Sequence, residues 1–510
     1  TVTLTRQAQC SLIVLLDAAG FGHCRIETHT IWCTPSNRRF YMALGPKGRP
    51  QRIRDPLHDL IEFDASRFEQ MLWQLIQSTP FQRLRRVRQL GFSEYVYPGA
   101  THTRFAHSLG VFFNARRLMR NVKRHIGDDN FDRNRSEAAL TAALLHDVGH
   151  GPFSHSFEAI GKRLDLKYAK HEDVSDEIIR KTEVAGILDA YVPGMSTRVA
   201  DIIGAKTPAD VYSSVVSSQF DADRLDYMQR DRMMTGTQHS GIDLTWLIAN
   251  LEIDAVPFGV GEEQVGSVET FVLSSKAIFA AETYVVGLFQ LYPTVYFHKA
   301  TRSAEKVFFH LFERVFRLVR EGQVDLVGLS KRNPIAVFAE NPDSLGHALN
   351  LDDSVVWGSL AELCESKDGS ISQLAAMLRE RRLPKAIDLR TAVMKELGDN
   401  APIDLIEKSI LLSRKALGEW CDEQGNEVPQ IWVDTSQRVP YKEFQEDTGP
   451  LNQILIRHNG GLVDLKEVSP IVEAIRPFKL DRVYIPFPND GLRTLVHETV
   501  KQKTKEAKGE

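Results

Sequence analysis

The 510-residue chain has little cysteine: Cys10, Cys24, Cys33, Cys364 and Cys421, with no CxxC pair. That excludes a disulfide scaffold and fits a reducing, cytoplasmic setting. Long apolar runs are missing too. The stretch from Leu12 to Leu16 is cut short by Asp17 and lacks a basic lead-in, so it is expected to be neither a signal peptide nor a span, which needs ~20 apolar residues, and no membrane partner is expected. No sign of charge dominates: 63 Lys and Arg face 67 Asp and Glu, a formal charge of -4. Nucleic acid is therefore not a favoured partner, although a local basic pocket is compatible with this balance. No internal repeat is visible. With 43% hydrophobic and 25% charged residues the composition is that of an ordinary globular protein.

The chain reads as three parts. Residues 1–50 hold three of the five cysteines and no helical period, and are taken as an N-terminal extension. Within them His23, Cys24, His29 and Cys33 have a spacing that matches no familiar zinc finger and read as unrelated surface residues. Residues 51–330 are mainly helical, with apolar positions recurring at three and four over 66–77, 105–124, 137–147 and 270–318. Residues 331–510 begin loosely, continue as shorter helices near 354–396 and 402–419, and then show β-like runs at 431–435, 451–457 and 481–487. The expected fold is mainly α, a helical core with a smaller mixed α/β C-terminal lobe suited to oligomerisation or regulation.

The most informative segment runs from Ala138 to His155. Small and apolar residues build a buried helix that stops where Gly149, Gly151 and Pro152 forbid its continuation. His146, Asp147, His150 and His155 therefore crowd a helix end, where the negative end of the dipole favours a cation. Alone, His146-Asp147 reads better as a structural hydrogen-bonded pair. Two other strings change that: Arg104-Phe105-Ala106-His107-Ser108-Leu109-Gly110 upstream and Asp221-Ala222-Asp223-Arg224-Leu225-Asp226-Tyr227 downstream, the latter continuing to Asp231. Arg104 precedes His107 by three residues, so on a helix it shares that face and could grip a phosphate bidentately. Asp223, Tyr227 and Asp231 recur at i, i+4 and i+8 and line one face.

The series H, HD, D is the signature of the HD superfamily. Residues from about 52 to 305 resemble its deoxynucleoside triphosphate triphosphohydrolases, through Asp55-Pro56-Leu57-His58, Phe81-Gln82-Arg83-Leu84-Arg85, Gln89-Leu90-Gly91, Tyr97-Pro98-Gly99-Ala100 and the three strings above, all in the family's order. About 50 residues precede this region, too few for the sterile-alpha-motif domain that some members carry.

The resemblance implies a divalent ion held by His107, His146, Asp147 and Asp223. Two imidazoles and two carboxylates suit iron, manganese, zinc or, less comfortably, magnesium. It further implies attack at the α-phosphorus, which releases a deoxynucleoside and intact triphosphate. His155 is the implied general acid, with His150 and His171 as auxiliary or phosphate-contacting groups. Arg224 stands where the family has a phosphate-binding Lys. Gln89, Tyr227 and Asp231 are implied around the deoxyribose, and Tyr296 as packing that disfavours a 2′-hydroxyl.

Members of the family assemble as homo-oligomers, dimers or tetramers, and some are activated by a nucleotide. Gln82 and Arg85 match the activator site, and Lys299 and Arg83 are further basic candidates. Ser78 stands where the family has the guanine-reading Asp, which puts guanine recognition in doubt. Two other functions fit the same motifs: an HD phosphohydrolase for another nucleotide, a signalling nucleotide or a nucleic-acid end, and a nucleotide-sensing module.

Overall fold

The computed structural model describes residues 13–16, 22–26, 29–32, 48–205, 207–239, 241–260, 263–398, 400–439, 441, 453–486 and 490–509. The chain forms two compact units, Thr1–Arg49 and Pro50–Glu510. In the first, Ile13–Leu16, Gly22–Ile26 and His29–Trp32 pair as an antiparallel sheet in chain order. The side chains of His23, Cys24, His29 and Cys33 lie outside the described residues.

The second unit is mainly helical, as the periodicity requires. It opens with the hairpin Gln51–Asp55 and Asp59–Phe63 and the helix Arg67–Gln77, whose N-terminus is capped by Ser66. The helix Arg104–Ile126 runs through its core. Asp132 caps the helix Arg133–Leu145 by accepting from the N–H groups of Asn134 and Arg135. The helices His155–Leu164 and His171–Lys181 follow, and Asp221 caps the helix Ala222–Thr235.

Residues 270–318 do not form the continuous helical stretch that the apolar spacing suggests. Glu263–Ser274 is a strand paired antiparallel with Leu251–Val260. Val268, Thr270 and Val272 are β-branched, and residues 270–273 are buried in succession, a short run of the kind that suits a strand covered on both faces. Helix resumes at Ile278–Leu291, widens into a π-helical turn over Tyr292–Tyr296, and continues as Lys299–Arg320.

Residues on both sides of position 330 share sheets and cores. Leu455–His458 joins the 251–274 hairpin through a parallel pairing with Glu263–Ser274, and Gly461–Asp464 completes that four-stranded sheet. A second sheet orders Lys385–Asp388, Phe478–Ile485 and Trp432–Arg438. The apolar face of Lys299–Arg320, including Val307, Phe308, Leu311 and Phe312, packs in one cluster with Phe92, Phe153, Leu360 and Leu374. No helix among the described residues is long and apolar enough to cross a membrane.

Where Arg104–Ile126 meets Ala222–Thr235, Gly110 lets the helices close up. A Cβ there would lie 1.9 Å from Asp226 Oδ1 and 2.4 Å from Arg230 Nη2. Both contacts are with fully buried charged groups that cannot swing away into water. Gly110→Ala is expected to cost about 2 kcal/mol or more in denaturant unfolding, through overpacking and disturbance of a buried ion pair. An unchanged unfolding midpoint would show that the helices separate without penalty.

Candidate metal centre and active-site cavity

The end of Arg133–Leu145 places His146 as its C-cap residue and Asp147 in the turn beyond. His107 approaches from the first turns of Arg104–Ile126, and Asp223 from the first turn of Ala222–Thr235. One ligand atom each of His107, His146 and Asp223 lie within 4.8 Å of one another. His107 Nε2 is 2.9 Å from Asp223 Oδ1 and 3.7 Å from Asp147 Oδ2, and His146 Nε2 is 3.4 Å from Asp147 Oδ1.

The donor chemistry fits a cation. A carboxylate can only accept, so His107 Nδ1–H donates to Asp226 Oδ2 at 2.9 Å, and Nε2 is the nitrogen turned to the cluster. His146 Nδ1–H donates to the Ala143 carbonyl at 2.9 Å, while its buried Nε2 has no hydrogen-bond partner. Each imidazole is thus oriented from behind and offers the opposite nitrogen, the arrangement that metal-ligating histidines use. Burial alone would raise the carboxyls of Asp147 and Asp223. Arg104 and the neighbouring imidazoles hold Asp147 well below the usual range, and His107 does the same for Asp223 in smaller measure.

Behind His107 lies a wholly buried charge network. Asp226 accepts from His107, from His58 Nε2 at 2.6 Å and from Arg230 Nε at 2.7 Å, and Arg230 also reaches Asp55 Oδ2 at 2.9 Å. Sequence reasoning gave none of these four residues a role. The available signal was the motif Asp55-Pro56-Leu57-His58, matched to the family without a function.

A cavity of about 460 Å³ opens from the cluster. At the cluster end it is lined by Arg104, Asp147, His150, His155 and His171. Glu158, another residue that the motifs did not single out, organises the histidines. It accepts from His155 Nδ1 at 3.0 Å and from His171 Nδ1. His150 stacks on His171, with centroids 3.8 Å apart, and its Nε2 is 3.2 Å from Asp147 Oδ1. Burial and the charge of Arg104 push the His150 imidazole well down, so it stays neutral. His155 is the most accessible of the three, its side chain 72% exposed. His150, Glu158 and His171 form a second group with metal-ligand spacing.

The same cavity is also lined by Gln89, Tyr227, Asp231, Tyr292 and Tyr296. Asp231 accepts from His102 Nε2 and from the Tyr296 hydroxyl, each at 2.8 Å. Burial, then the Asp231 charge, lifts the Tyr296 phenol well above its ordinary range and keeps it a donor. Gln89 Oε1 is buried and unpartnered.

The structure does not bring every candidate to the cavity. Arg224 is absent from the lining; its guanidinium pairs with Asp221 at 3.2 Å and donates to the Ser218 carbonyl. Arg104 lines the cavity, but its Nη1 is engaged with Asp147 and its Nε donates to Ser154 Oγ at 2.7 Å. Gln82 and Arg85 contact each other at 2.9 Å, and Arg83 is buried against the carbonyls of Val148, His150 and Leu351. Ser78 is turned inward, its hydroxyl donating to the Leu75 carbonyl. Lys299 lines a separate cavity with Arg381, Arg382, Lys385 and Arg493.

The ends of three helices converge on the set His107, His146-Asp147 and Asp223, and residues 104–229 match the HD domain family. The chain is 27% identical over 386 residues to deoxynucleoside triphosphate triphosphohydrolase SAMHD1 of Mus musculus, covering 69% of this chain and 54% of that one. It is 29% identical over 456 residues to the uncharacterized protein YwfO of Bacillus subtilis, covering 86% of this chain and 92% of that one. Among solved structures, a phosphohydrolase from Bacteroides thetaiotaomicron shares the fold with a TM-score of 0.64 and 24% identity, over 86% of this chain and all of that one.

Burial on its own would lower the His107 imidazole, but the hydrogen bonds to Asp223 and Asp226 outweigh it and hold the group up at about 10. Below that pH both ring nitrogens carry protons, and a cation must displace the one on Nε2. Affinity for Mn²⁺ is therefore expected to strengthen as pH rises toward 10, by up to ~tenfold per unit, with proton release on binding. Calorimetry in two buffers of different ionisation enthalpy measures both effects. Binding with no proton release would remove His107 from the ligand set.

Proposed function

We propose that the protein hydrolyses deoxynucleoside triphosphates to deoxynucleoside and triphosphate, with the metal held by His107, His146, Asp147 and Asp223. The observation that carries this reading is that one cavity joins a His/Asp cluster to a wall of Gln89, Tyr227, Asp231 and Tyr296, polar groups of the kind that recognise a sugar. The homology to a named triphosphohydrolase supports the same substrate class.

A divalent ion held by these residues would lower the pKa of a water and neutralise phosphate charge. The chain's own groups supply the rest. In this reading water oxygen bonds to the α-phosphorus and gives up its proton to solvent, the bond from phosphorus to O5′ breaks, and O5′ takes a proton from His155, which regains one from solvent. The Glu158 carboxylate, which accepts from His155 Nδ1, stabilises the imidazolium and fixes its ring, and it orients His171 as well. Neutral His150 donates to or accepts from phosphate oxygens without adding charge. Gln89 Oε1 offers an acceptor to a sugar hydroxyl, while Tyr227 and Tyr296, with ring centroids 6.4 Å apart, close the sugar side.

A triphosphate brings about four negative charges, yet most cations near the cavity are already paired. Arg302, on the lining, is held by Asp434 and Glu305. Arg438, from Trp432–Arg438, lines the cavity, and among the described residues no carboxylate partners it. It is assigned to the phosphate tail. For an activating nucleotide, Lys299 and the four other basic residues of the second cavity suit phosphate better than the Gln82–Arg85 pair does. Assembly as a dimer or tetramer, with residues 331–510 assisting, belongs to the same proposal.

Metal-loaded protein incubated with each deoxy- and ribonucleoside triphosphate, with products separated by anion exchange, tests the reaction. Inorganic triphosphate is expected; pyrophosphate or single phosphate would overturn attack at the α-phosphorus. His155→Ala is expected to lower kcat by about 10²–10⁴ with a much smaller change in nucleotide affinity. Arg438→Ala is expected to raise KM severalfold and leave kcat within about twofold, since a contact made equally in ground and transition states affects binding alone. An unaltered KM would take Arg438 out of the phosphate site.

A further inference from the structure

We propose that Asp353, far along the chain from the HD motifs, is a positioning residue that sets His155 against Gln89. The proposal rests on the hydrolase reading above. Asp353 is the first residue of the helix Asp353–Cys364, where a carboxylate ordinarily serves its own helix end. That duty falls instead to Asp352, which accepts from Val355 N–H at 3.1 Å and pairs with Arg86 Nε at 2.6 Å. Asp353 is free to reach across, and both of its oxygens do so. Oδ1 accepts the Phe153 N–H and Oδ2 accepts the Arg88 N–H, each at 2.8 Å.

Those two N–H groups belong to the two segments that carry the chemistry. Arg88 precedes Gln89, and Phe153 lies two residues before His155. Phe153 and Ser154 have φ of 53° and 56°, in the region that non-glycine residues occupy only when their surroundings force them. The Phe153 ring is fixed by stacking on Phe92 at 4.0 Å, and Ser154 Oγ donates to the Arg88 carbonyl at 3.2 Å. Asp353 supplies the remaining constraint and ties both backbones to one rigid group. Next to it, the Leu351 carbonyl accepts from Arg83, whose other nitrogen holds the carbonyls of Val148 and His150. Residues 351–353 therefore grip the HD loop and its neighbour from outside. A buried carboxylate is costly to keep, and burial pushes Asp353 up to about 7 against the pull of its two N–H donors and Arg88.

In Asp353→Asn one oxygen remains as acceptor, and the amide NH₂ opposes the second N–H. Turnover and binding are to be measured on the metal-loaded full chain with the triphosphate that the parent hydrolyses. A fall in kcat of about tenfold or more is expected, with KM and bound metal changing less than about threefold. Asp352→Asn, which keeps a helix-capping side chain, is expected to hold kcat within about threefold of the parent. Parental kcat in Asp353→Asn overturns the proposal, as does a loss of kcat, affinity and metal together. Amide exchange of the parent gives a second test that needs no variant: the N–H groups of Phe153 and Arg88 are expected among the slow amides, and free exchange at either overturns the clamp. A parent that hydrolyses no nucleotide removes the functional reading, whereas the exchange result still decides whether the clamp exists.

Discussion

The rest of the site depends on the fully buried carboxylate of Asp226. Burial would raise its pKa, but Arg230, His107 and His58 hold it well below the usual range. Four groups of unlike charge thus satisfy one another without water, the condition under which a buried ion pair is tolerable. The consequence for function lies at His107. With Nδ1–H committed to Asp226, the ring's tautomer and angle are set, and Nε2 faces the cluster. Gly110 belongs to the same constraint, because only a residue without Cβ lets the helix bearing His107 approach the helix bearing Asp226 and Asp223.

From that anchor the fold distributes work by helix ends. His146 sits at a helix C-terminus, Asp223 in a first turn and His155 at a first position, so backbone groups and side chains converge where regular structure stops. Loops joining such ends would wander if they were held by water alone. Here Arg83 holds the carbonyls of the 148–150 turn, Ser175 Oγ accepts the Gly149 N–H at 3.0 Å, and Asp353 takes the next segment. Chain distant in sequence supplies these restraints, which is why the catalytic region and the C-terminal residues share one core.

The amino-acid order revealed the helical class and the residues around the metal cluster, because chemistry of that kind needs unusual residue types at short, fixed spacings. His107, His146, Asp147 and Asp223 announce themselves in this way. What stayed hidden has a common physical cause. Glu158, His102 and Asp353 look like ordinary polar residues, and their importance arises from partners 13, 129 and 200 positions away. Arg224 and Arg104 show the converse. Sequence marks them as cations near phosphate, but only geometry shows that Asp221 and Asp147 have already claimed them. The 251–274 hairpin was missed for a simpler reason: its β-branched residues adjoin a long amphipathic run and were absorbed into it.

The pairing of those arginines bears on how a polyanion could be held. A guanidinium fixed by a carboxylate contributes little net charge, so Arg104 and Arg302 shape the cavity more than they attract phosphate. In the proposed reading the positive potential would come from a bound divalent ion and from Arg438, which no carboxylate partners among the described residues. The ion would lie at the HD motifs, whereas Arg438 belongs to the sheet of Lys385–Asp388, Phe478–Ile485 and Trp432–Arg438. Binding of a long phosphate tail would then draw the C-terminal region and the HD helices toward one ligand, and a substrate with a single phosphate would engage only the motif side. If the proposed substrate is right, selection for a triphosphate would follow from where charge is left unpaired among the described residues rather than from how many arginines surround the cavity.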